Sequence, residues 1–168
     1  MTPPTLTTAR LTLRPQVLAD FEPFAEMLAS DRARYMGGPI QRNEAWGWFC
    51  ADEAGWTFLD HGALSVTETA SGRLAGQVGL NKPPRFPEIE LGWLAYDWAE
   101  GRGYMTEAAR ALRDWAFGPR GLTTLVSYVD PANLRSRALA ERLGARIDPK
   151  ATGPDPDDVV YRHSPEAA

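Results

Sequence analysis

The feature of this sequence that most constrains its fold is a strand, a glycine loop and a helix that follow one another near the middle of the chain. In the segment 88–95, EIELGWLA, apolar and polar residues alternate, which predicts a strand with Leu91 and Trp93 on one face and Glu90 on the other. In the segment 104–117, apolar residues recur at helical spacing, which predicts an amphipathic helix. A strand that feeds a helix through a short loop is typical of α/β proteins.

The other segments predict a mixed α/β sheet around this unit. Alternation or short apolar runs predict strands at 9–14, 63–69, 73–80, 123–129 and 158–162. Cap residues and helical spacing predict helices that begin at Asp20, cover 42–54, and run from Asp130-Pro131 to Gly144. Two packing details follow from these patterns. We expect the helix 42–54 to bury Trp46, Phe49 and Cys50, and the second arm of the hairpin to place Leu74, Gly76, Val78 and Leu80 on one face.

Length and composition bound the class of protein. A chain of 168 residues is near the usual size of one domain, so we expect a single domain over residues 1–168. The sequence shows neither a long apolar run nor a signal-like start, which predicts a cytoplasmic protein with no membrane partner. A net charge of −4 disfavours nucleic acid as a partner. One cysteine and two histidines are too few for a zinc site, so no metal is expected.

The glycine loop itself, EGRGY at 100–104, suggests a binding site for phosphate. Backbone N–H groups at the start of a helix lack intrahelical partners and carry a partial positive charge, and glycines let a diphosphate approach them closely. Arg102 could add a charged contact at the rim. The alternative is that Gly101 and Gly103 only shape a tight turn, and the loop alone does not decide between the two.

Four motifs together carry a resemblance to a known family. They are TARLTLRP at the front of the chain, the E-x-G strand, the run GRGYMTEA, and N-L-R-S ahead of a helix that ends in Leu-Gly. From about residue 8 to 162 the chain resembles the GNAT acyl-CoA N-acyltransferases, and within them the branch that acetylates the N-terminal alanine or serine of ribosomal proteins. The resemblance implies the GNAT fold, a mostly antiparallel sheet whose strands at 88–95 and 123–129 splay apart.

The resemblance also implies that acetyl-CoA is the co-substrate. Its diphosphate would rest on the loop formed by Glu100, Gly101, Arg102, Gly103, Tyr104 and Met105. Its pantetheine arm would pair with the backbone of Trp93, Leu94 and Ala95 and contact Asn133. The chain departs from the family at two places in the loop, where glutamine or arginine is replaced by Glu100 and a small residue by Met105. An acidic side chain beside a diphosphate is unfavourable unless it points away.

The chemistry of acyl transfer selects candidate catalytic residues. An amine must lose a proton to attack a thioester, and Glu90, in the middle of the predicted strand, is the candidate base, with Glu88 as the second choice. The alternative for Glu90 is a glutamate on a solvated face that pairs with an arginine. We expect a backbone N–H near Leu94 to stabilise the negative charge on the thioester oxygen.

Ser136 is the candidate for assisting the departing thiolate. In the branch that this chain resembles, the matching serine lies near the sulfur. Many other family members have a tyrosine four positions later, but this chain has Ala140 there. The alternatives are that Ser136 bonds its own helix backbone and that Asn133 only helps to cap the helix.

These observations predict an enzyme, an acetyl-CoA-dependent N-acetyltransferase in which a primary amine attacks directly in a ternary complex. The alternative is a non-catalytic acyl-CoA-binding sensor, favoured by Glu100, Met105 and Ala140, and a structural module is a third reading. The acceptor class stays open, as a small molecule or a peptide amine, and so does the choice between monomer and homodimer. Segments expected to shape the acceptor pocket are 34–40, Asp97, Trp98 and 148–158, for each of which a plain surface loop is an equal alternative.

Overall fold

In a computed structural model, which describes residues 2–165, the chain forms one eight-stranded sheet with helices on both faces. The strands are β1 (Leu6–Thr7), β2 (Leu11–Arg14), β3 (Ala63–Glu68), β4 (Leu74–Asn81), β5 (Glu90–Ala95), β6 (Val126–Val129), β7 (Arg146–Ile147) and β8 (Val159–Arg162). The helices are α1 (Phe21–Leu28), α2 (Arg42–Phe58), α3 (Tyr104–Phe117) and α4 (Leu134–Arg142). The mixed α/β class is confirmed. The single domain predicted over 1–168 stays a prediction, and residues 1 and 166–168 lie outside the described residues.

The strand order is β1-β2-β3-β4-β5-β6-β8-β7, and every neighbouring pair except β5 and β6 is antiparallel. Strands β5 and β6 are parallel and share one ladder position, Glu90 opposite Val126. Beyond it the side chain of Ser127 bridges the two strands, since its hydroxyl donates to the Leu91 carbonyl at 2.6 Å. The predicted splay is therefore present, and it leaves one edge of β5 open.

The two faces of the sheet bury separate cores. Helix α3 lies on one face, where Ala108, Ala109 and Leu112 are fully buried against residues of β2, β4 and β5. Helices α1 and α2 cover the other face, where Phe24 and Phe49 pack with Leu94. The predicted bounds of α3 agree with the structure, because its apolar stripe matches the face that it buries.

Helix α2 corrects two packing predictions. It extends to Phe58, and its fully enclosed stripe is narrow, consisting of Ala45, Phe49 and Trp56. Trp46 is 44% exposed and Cys50 is exposed, because each lies one residue, about 100° of helical turn, from a buried position.

Three further local predictions differ from the structure. Asp20 does not cap α1 with its side chain; its carboxylate instead accepts bonds from Arg14, Ser65 and the Val17 N–H. The register between β3 and β4 shifts between Val66 and Thr67 of β3, which marks a bulge in β4. This bulge turns Leu74 away from the face of Val78 and Leu80. Strands predicted from residues 88 and 123 begin at Glu90 and Val126.

The start of α4 is also later than predicted. Asp130 does not cap this helix but closes a turn, since its Oδ1 accepts from the Ala132 N–H at 2.8 Å. The N-cap is Asn133, whose Oδ1 accepts from the Ser136 N–H at 3.2 Å. Helix α4 therefore begins at Leu134, and Gly144, with φ +79°, follows its end as predicted.

Candidate active site

A large cleft of about 1940 Å³ opens where β5 and β6 part. It extends from the glycine loop before α3 to the space between β5 and α2. Its lining includes most of the predicted site residues, namely Glu90, Trp93, Leu94, Ala95, Glu100, Gly101, Gly103, Tyr104, Met105, Asn133 and Ser136. Arg102 is not among the lining residues. Its guanidinium donates to the Trp98 carbonyl at 2.8 Å and lies over the Trp98 ring.

The open edge of β5 presents unpaired backbone groups to the cleft. The Tyr96 N–H donates to the Ala75 carbonyl of β4, at 2.9 Å. Alternate residues of a strand direct their backbone groups to the same side. The N–H and carbonyl of Leu94 therefore also face β4, whereas those of Trp93 and Ala95 face the split. The N–H groups that point toward the split are thus those of Trp93 and Ala95, the two neighbours of Leu94, and the donor expected near Leu94 stays a prediction with these two groups as candidates.

The glycine loop is shaped by backbone conformation. Gly101 and Gly103 have φ values of +75° and +74°, a left-handed region that glycine adopts without strain. A Cβ on Gly101 would meet no atom within 4 Å, so the space beside this residue is open. The tight-turn explanation therefore accounts for both glycines, and the open space at Gly101 also leaves room for a ligand.

Met105 does not fill the loop. Its side chain is 7% exposed and turns inward, and its Sδ would lie 3.1 Å from a Cβ placed on Gly76 of β4. The missing side chain at Gly76 is what makes room for the thioether. The loop backbone consequently remains accessible despite the larger residue.

Glu100 points toward two arginines. Its carboxylate contacts the guanidinium groups of Arg32 and Arg135, and Arg32 also donates to the Ala95 carbonyl at 3.1 Å and contacts Asp97 at 3.2 Å. The negative charge of Glu100 is thus balanced by two positive charges. Sequence reasoning missed Arg32, since it precedes Glu100 by 68 residues and no local pattern links the two.

The two candidate bases have opposite environments. Glu88 forms a bidentate ion pair with Arg162, with distances of 2.8 and 2.9 Å, which holds the pKa of that carboxyl below its usual value. Glu90 is half-buried, accepts from Asn81 Nδ2 at 3.0 Å and forms no ion pair among the described residues, and its burial raises its pKa to about 7. The arginine-paired arrangement considered for Glu90 is found at Glu88 instead. Of the two, Glu90 has the protonation behaviour that a base near neutral pH needs.

The start of α4 faces the same edge of β5. Ser136 Oγ accepts from Trp93 Nε1 at 3.2 Å, which leaves its hydroxyl proton available to another acceptor. Asn133 uses its Oδ1 for the helix cap, so the capping role considered for it is real, and the residue also lines the cleft. Ala140 is fully buried in a cluster with Val129 and Tyr161.

Two polar residues of the cleft had no sequence signal. Asp52 of α2 accepts from Gln77 Nε2 of β4 at 3.1 Å, and burial raises the pKa of this carboxyl to about 7. Both residues lie inside regular elements, where polar residues usually mark the solvated face. Of the segments predicted to shape an acceptor pocket, 34–40 lines the cleft with Arg34, Tyr35, Met36 and Gly37, and 148–158 lines it with Pro154, Asp155 and Asp158. Asp97 and Trp98 do not line it.

Metal-binding clusters and membrane spans are both lacking from the part of the chain that the structure describes. No group of three or more His, Cys, Asp and Glu side chains within residues 2–165 is arranged to hold a metal ion. No helix in this range is long and apolar enough to cross a membrane.

The open, mostly antiparallel sheet, split beside a glycine loop that leads into a helix, defines the GNAT fold. The sequence model described as the acetyltransferase (GNAT) domain matches residues 10–146, and the chain therefore belongs to this family.

Individual relatives extend this result. The crystal structure of an acetyltransferase from Agrobacterium tumefaciens is 52% identical, with a TM-score of 0.94 over 98% of this chain and 96% of that chain. The uncharacterized protein YkkB of Bacillus subtilis is 32% identical over 77 residues, so the match spans 44% of this chain and 44% of that relative. Ribosomal-protein-S5-alanine acetyltransferase from Vibrio fischeri shares the fold, at 15% identity, a TM-score of 0.70 and 97% coverage of both chains. Structural neighbours thus include the ribosomal-protein branch that the motifs resemble.

Proposed function

We propose that this protein is an acetyl-CoA-dependent N-acetyltransferase that transfers an acetyl group to a primary amine by direct attack in a ternary complex. The observation that carries the proposal is the half-buried Glu90 carboxyl, which forms no ion pair within the described residues and lies beside the open edge of β5. A group with a pKa of about 7 is partly ionised at neutral pH and is able to accept a proton from an ammonium ion.

The residues present fit coenzyme A. The loop 100–103 has an accessible backbone at the start of α3, where N–H groups and the helix dipole favour a diphosphate. Trp93 and Ala95 offer backbone groups with which an extended pantetheine arm can pair, although the Ala95 carbonyl is already bonded to Arg32. RimL, whose fold this chain shares at 15% identity with a TM-score of 0.77, has been solved in complex with coenzyme A.

In the proposed reaction the acceptor ammonium loses two protons and the coenzyme A thiolate gains one. Glu90 takes a proton from the acceptor ammonium, directly or through a water, and the neutral nitrogen attacks the thioester carbonyl carbon. The C–N bond forms, the attacking nitrogen loses its second proton to solvent, and the C–S bond breaks. The N–H groups of Trp93 and Ala95 stabilise the charge on the carbonyl oxygen. The Ser136 hydroxyl donates a hydrogen bond to the departing thiolate, which takes its proton from solvent.

The sensor alternative loses two of its three supports. Glu100 is neutralised by arginines and Met105 turns into the core, so neither residue obstructs the cleft. Ala140 remains, but Ser136 lies at the lining of the cleft and is able to assist the thiolate.

Thiol release from acetyl-CoA tests the proposal. We expect release with at least one acceptor among peptide N-termini, drug amines, polyamines and amino acids. Glu90→Gln should reduce it by about 100-fold or more, the usual contribution of a general base. Glu88→Gln is the matched control and should retain most of the activity, because that carboxylate is held by Arg162. Binding of coenzyme A without thiol release by the wild type would favour the sensor, and no thermal shift with coenzyme A would contradict both.

A further inference from the structure

The half of the cleft beyond Glu90 contains a second carboxylate that the proposed reaction does not use. Asp52 projects from α2 and is half-buried, and Gln77 Nε2 donates to its Oδ2 at 3.1 Å. Asp52 and Glu90 are close enough for the negative charge of Glu90 to raise the pKa of Asp52. Both carboxylates line the same cleft, and each is held by a side-chain amide of β4.

The floor between these carboxylates lacks side chains. Gly79 of β4 lies opposite Gly92 of β5 in the ladder. A Cβ on Gly92 would lie 2.9 Å from Asn81 Nδ2 and 3.4 Å from Glu90 Oε2, so the hydrogen-bonded side chains of Asn81 and Glu90 lie beside this glycine. Gln77, the partner of Asp52, is two residues before Gly79, roughly 6–7 Å along the strand. A small ligand on the glycine floor would therefore have one carboxylate near each end.

Several other buried or half-buried carboxylates have arginine partners. Asp20 pairs with Arg14, Glu88 with Arg162 and Glu107 with Arg10. Within residues 2–165, Asp52 and Glu90 form no ion pair. Asp52 accepts from the Gln77 side chain, and Glu90 accepts from the Asn81 side chain and the Tyr128 N–H.

Three cations that line the cleft have contacts other than Asp52 and Glu90. Lys82 donates to the Phe86 carbonyl at 2.5 Å, Arg85 pairs with Asp155 at 3.8 Å, and Arg34 lies over the Tyr35 ring. Nearby His61 is buried, and that burial lowers its pKa and keeps the ring neutral. Arg85 attracts the Glu90 carboxylate at longer range, but none of these three cations is paired with Asp52 or Glu90.

We propose that Asp52 determines acceptor specificity by binding a second protonated nitrogen of the acceptor, which makes a short diamine or polyamine the preferred substrate class. The inference rests on the proposed function, in which Glu90 serves the reacting nitrogen. A dicationic ligand would neutralise both carboxylates at once, whereas a monoamine would leave Asp52 unpaired in a half-buried place. Binding at Asp52 would also hold the distal nitrogen and orient the reacting one toward the thioester.

The test measures kcat/KM for linear diamines with two to five methylene groups and for the matching n-alkylamines, with acetyl-CoA as donor. We expect wild-type protein to prefer at least one diamine over its monoamine by about tenfold or more, the effect of one hydrogen bond to a charged group. Asp52→Asn should bring this ratio close to one, mainly by raising KM for the diamine. Asp52→Glu should restore part of the preference.

Glu53→Gln is the matched control, because it removes one negative charge from the adjacent, exposed position of α2. It should leave the ratio within about twofold, and melting temperatures should show that every variant is folded. A general loss of activity through misfolding would lower both rates together and would not move the ratio.

Three outcomes would overturn the inference alone: a wild-type ratio near one, an unchanged ratio in Asp52→Asn, or a clear preference for a peptide N-terminus over every diamine. In each of these, thiol release still occurs and the proposed function stands. Absence of release with all amines would instead contradict the proposed function.

Discussion

Two glutamates on one side of the same short segment show how the environment assigns chemistry to a residue. Glu88 and Glu90 are two residues apart, a spacing that directs both side chains to the same side of an extended chain. Arg162 nevertheless binds Glu88, whereas Asn81 binds Glu90. A guanidinium stabilises the ionised form of a carboxyl, and burial with an amide partner leaves the neutral form favoured. The two pKa values consequently move in opposite directions.

The first prediction concerns pH. The groups that face Glu90 are Asn81, the Tyr128 N–H, Asp52, Asp158 and, at longer range, Arg85. We expect kcat/KM for the acceptor to rise with pH through about 7, because the base must be ionised. A rate that falls over this range would contradict the assignment of Glu90 as base.

The same shift predicts an effect on stability. The pKa of Glu90 is higher in the folded state than its ordinary value of 4.5, so its contribution to stability is present at low pH and is lost as pH rises through about 7. Glu90→Gln should therefore raise Tm at pH 8 by about 2–4 °C, the effect of about 1 kcal/mol in a protein of this size. The difference should disappear at pH 4, where the carboxyl is neutral, and an equal shift at both pH values would contradict the argument.

Asn133 allows the cap and the ligand contact to be separated. Asn133→Ala removes the acceptor for the Ser136 N–H and should cost about 1 kcal/mol, or about 2–4 °C in Tm. Asn133→Ser keeps a capping oxygen but loses the amide donor, so its Tm should stay near that of the wild type. Calorimetry should nevertheless show coenzyme A binding about 3–10-fold more weakly to it, the effect of one neutral hydrogen bond. If Asn133→Ser bound coenzyme A as tightly as the wild type, Asn133 would serve only as the helix cap.

At the scale of elements, the loop before α3 combines a backbone requirement with an open surface. Gly101 needs its left-handed φ whether or not a ligand binds, so the presence of glycine does not by itself demonstrate a phosphate site. Gly121 provides a comparison, since it has φ +73°, is exposed and would likewise meet no atom within 4 Å if it carried a Cβ, but it does not line the cleft.

Replacing these two glycines by alanine separates the explanations. Gly101→Ala and Gly121→Ala should each destabilise the fold by about 1–2 kcal/mol, because both force alanine into the left-handed region. Only Gly101→Ala should weaken coenzyme A binding, measured by titration calorimetry. Equal affinity in the two variants would mean that Gly101 serves the turn and nothing more.

For the whole molecule, the split in the sheet determines where the cleft lies. Ser127 holds β5 and β6 together at the base of the split, since its hydroxyl donates to the Leu91 carbonyl and accepts from His163 Nε2 at 2.9 Å. His163 is buried, and burial lowers its pKa to about 4, so the ring remains neutral at physiological pH. A side-chain hydrogen bond thus replaces a ladder bond at the point where the strands diverge.

Ser127→Ala tests this role. It leaves the Leu91 carbonyl and His163 Nε2 without their partner, which should cost about 1–3 kcal/mol and lower Tm by several degrees. KM for acetyl-CoA should rise, because the separation of the strands is no longer held. Ser71→Ala, at an exposed turn, is the control and should change stability by about 0.5 kcal/mol or less. An unchanged Tm in Ser127→Ala would show that the split does not depend on this bridge.

The parts of the fold that the sequence predicted are those with a local pattern. Helix α3 was predicted to the residue because its apolar stripe coincides with the buried face. The start of α4 was predicted too early, since Asp130 and Asn133 are both good cap residues and the choice depends on which turn each closes. Cys50 was expected to be buried, but the width of a buried stripe depends on what packs against the helix.

The sequence by itself determined the order and type of the longer elements, the glycine loop and membership of the GNAT family, because periodicity, caps and motifs are local properties of the chain. The two-residue strands β1 and β7 lie outside the predicted segments, since two residues are too few to show a pattern. Only the tertiary structure decided that Glu100 meets Arg32, that Glu88 meets Arg162 and that Asp52 shares the cleft with Glu90. These partners are 68 and 74 residues apart for the two ion pairs, and the Gln77 that holds Asp52 is 25 residues away. Burial and electrostatic pairing arise when distant segments pack together, so the charge state of each carboxyl, and with it the chemistry of the cleft, is a property of the folded molecule.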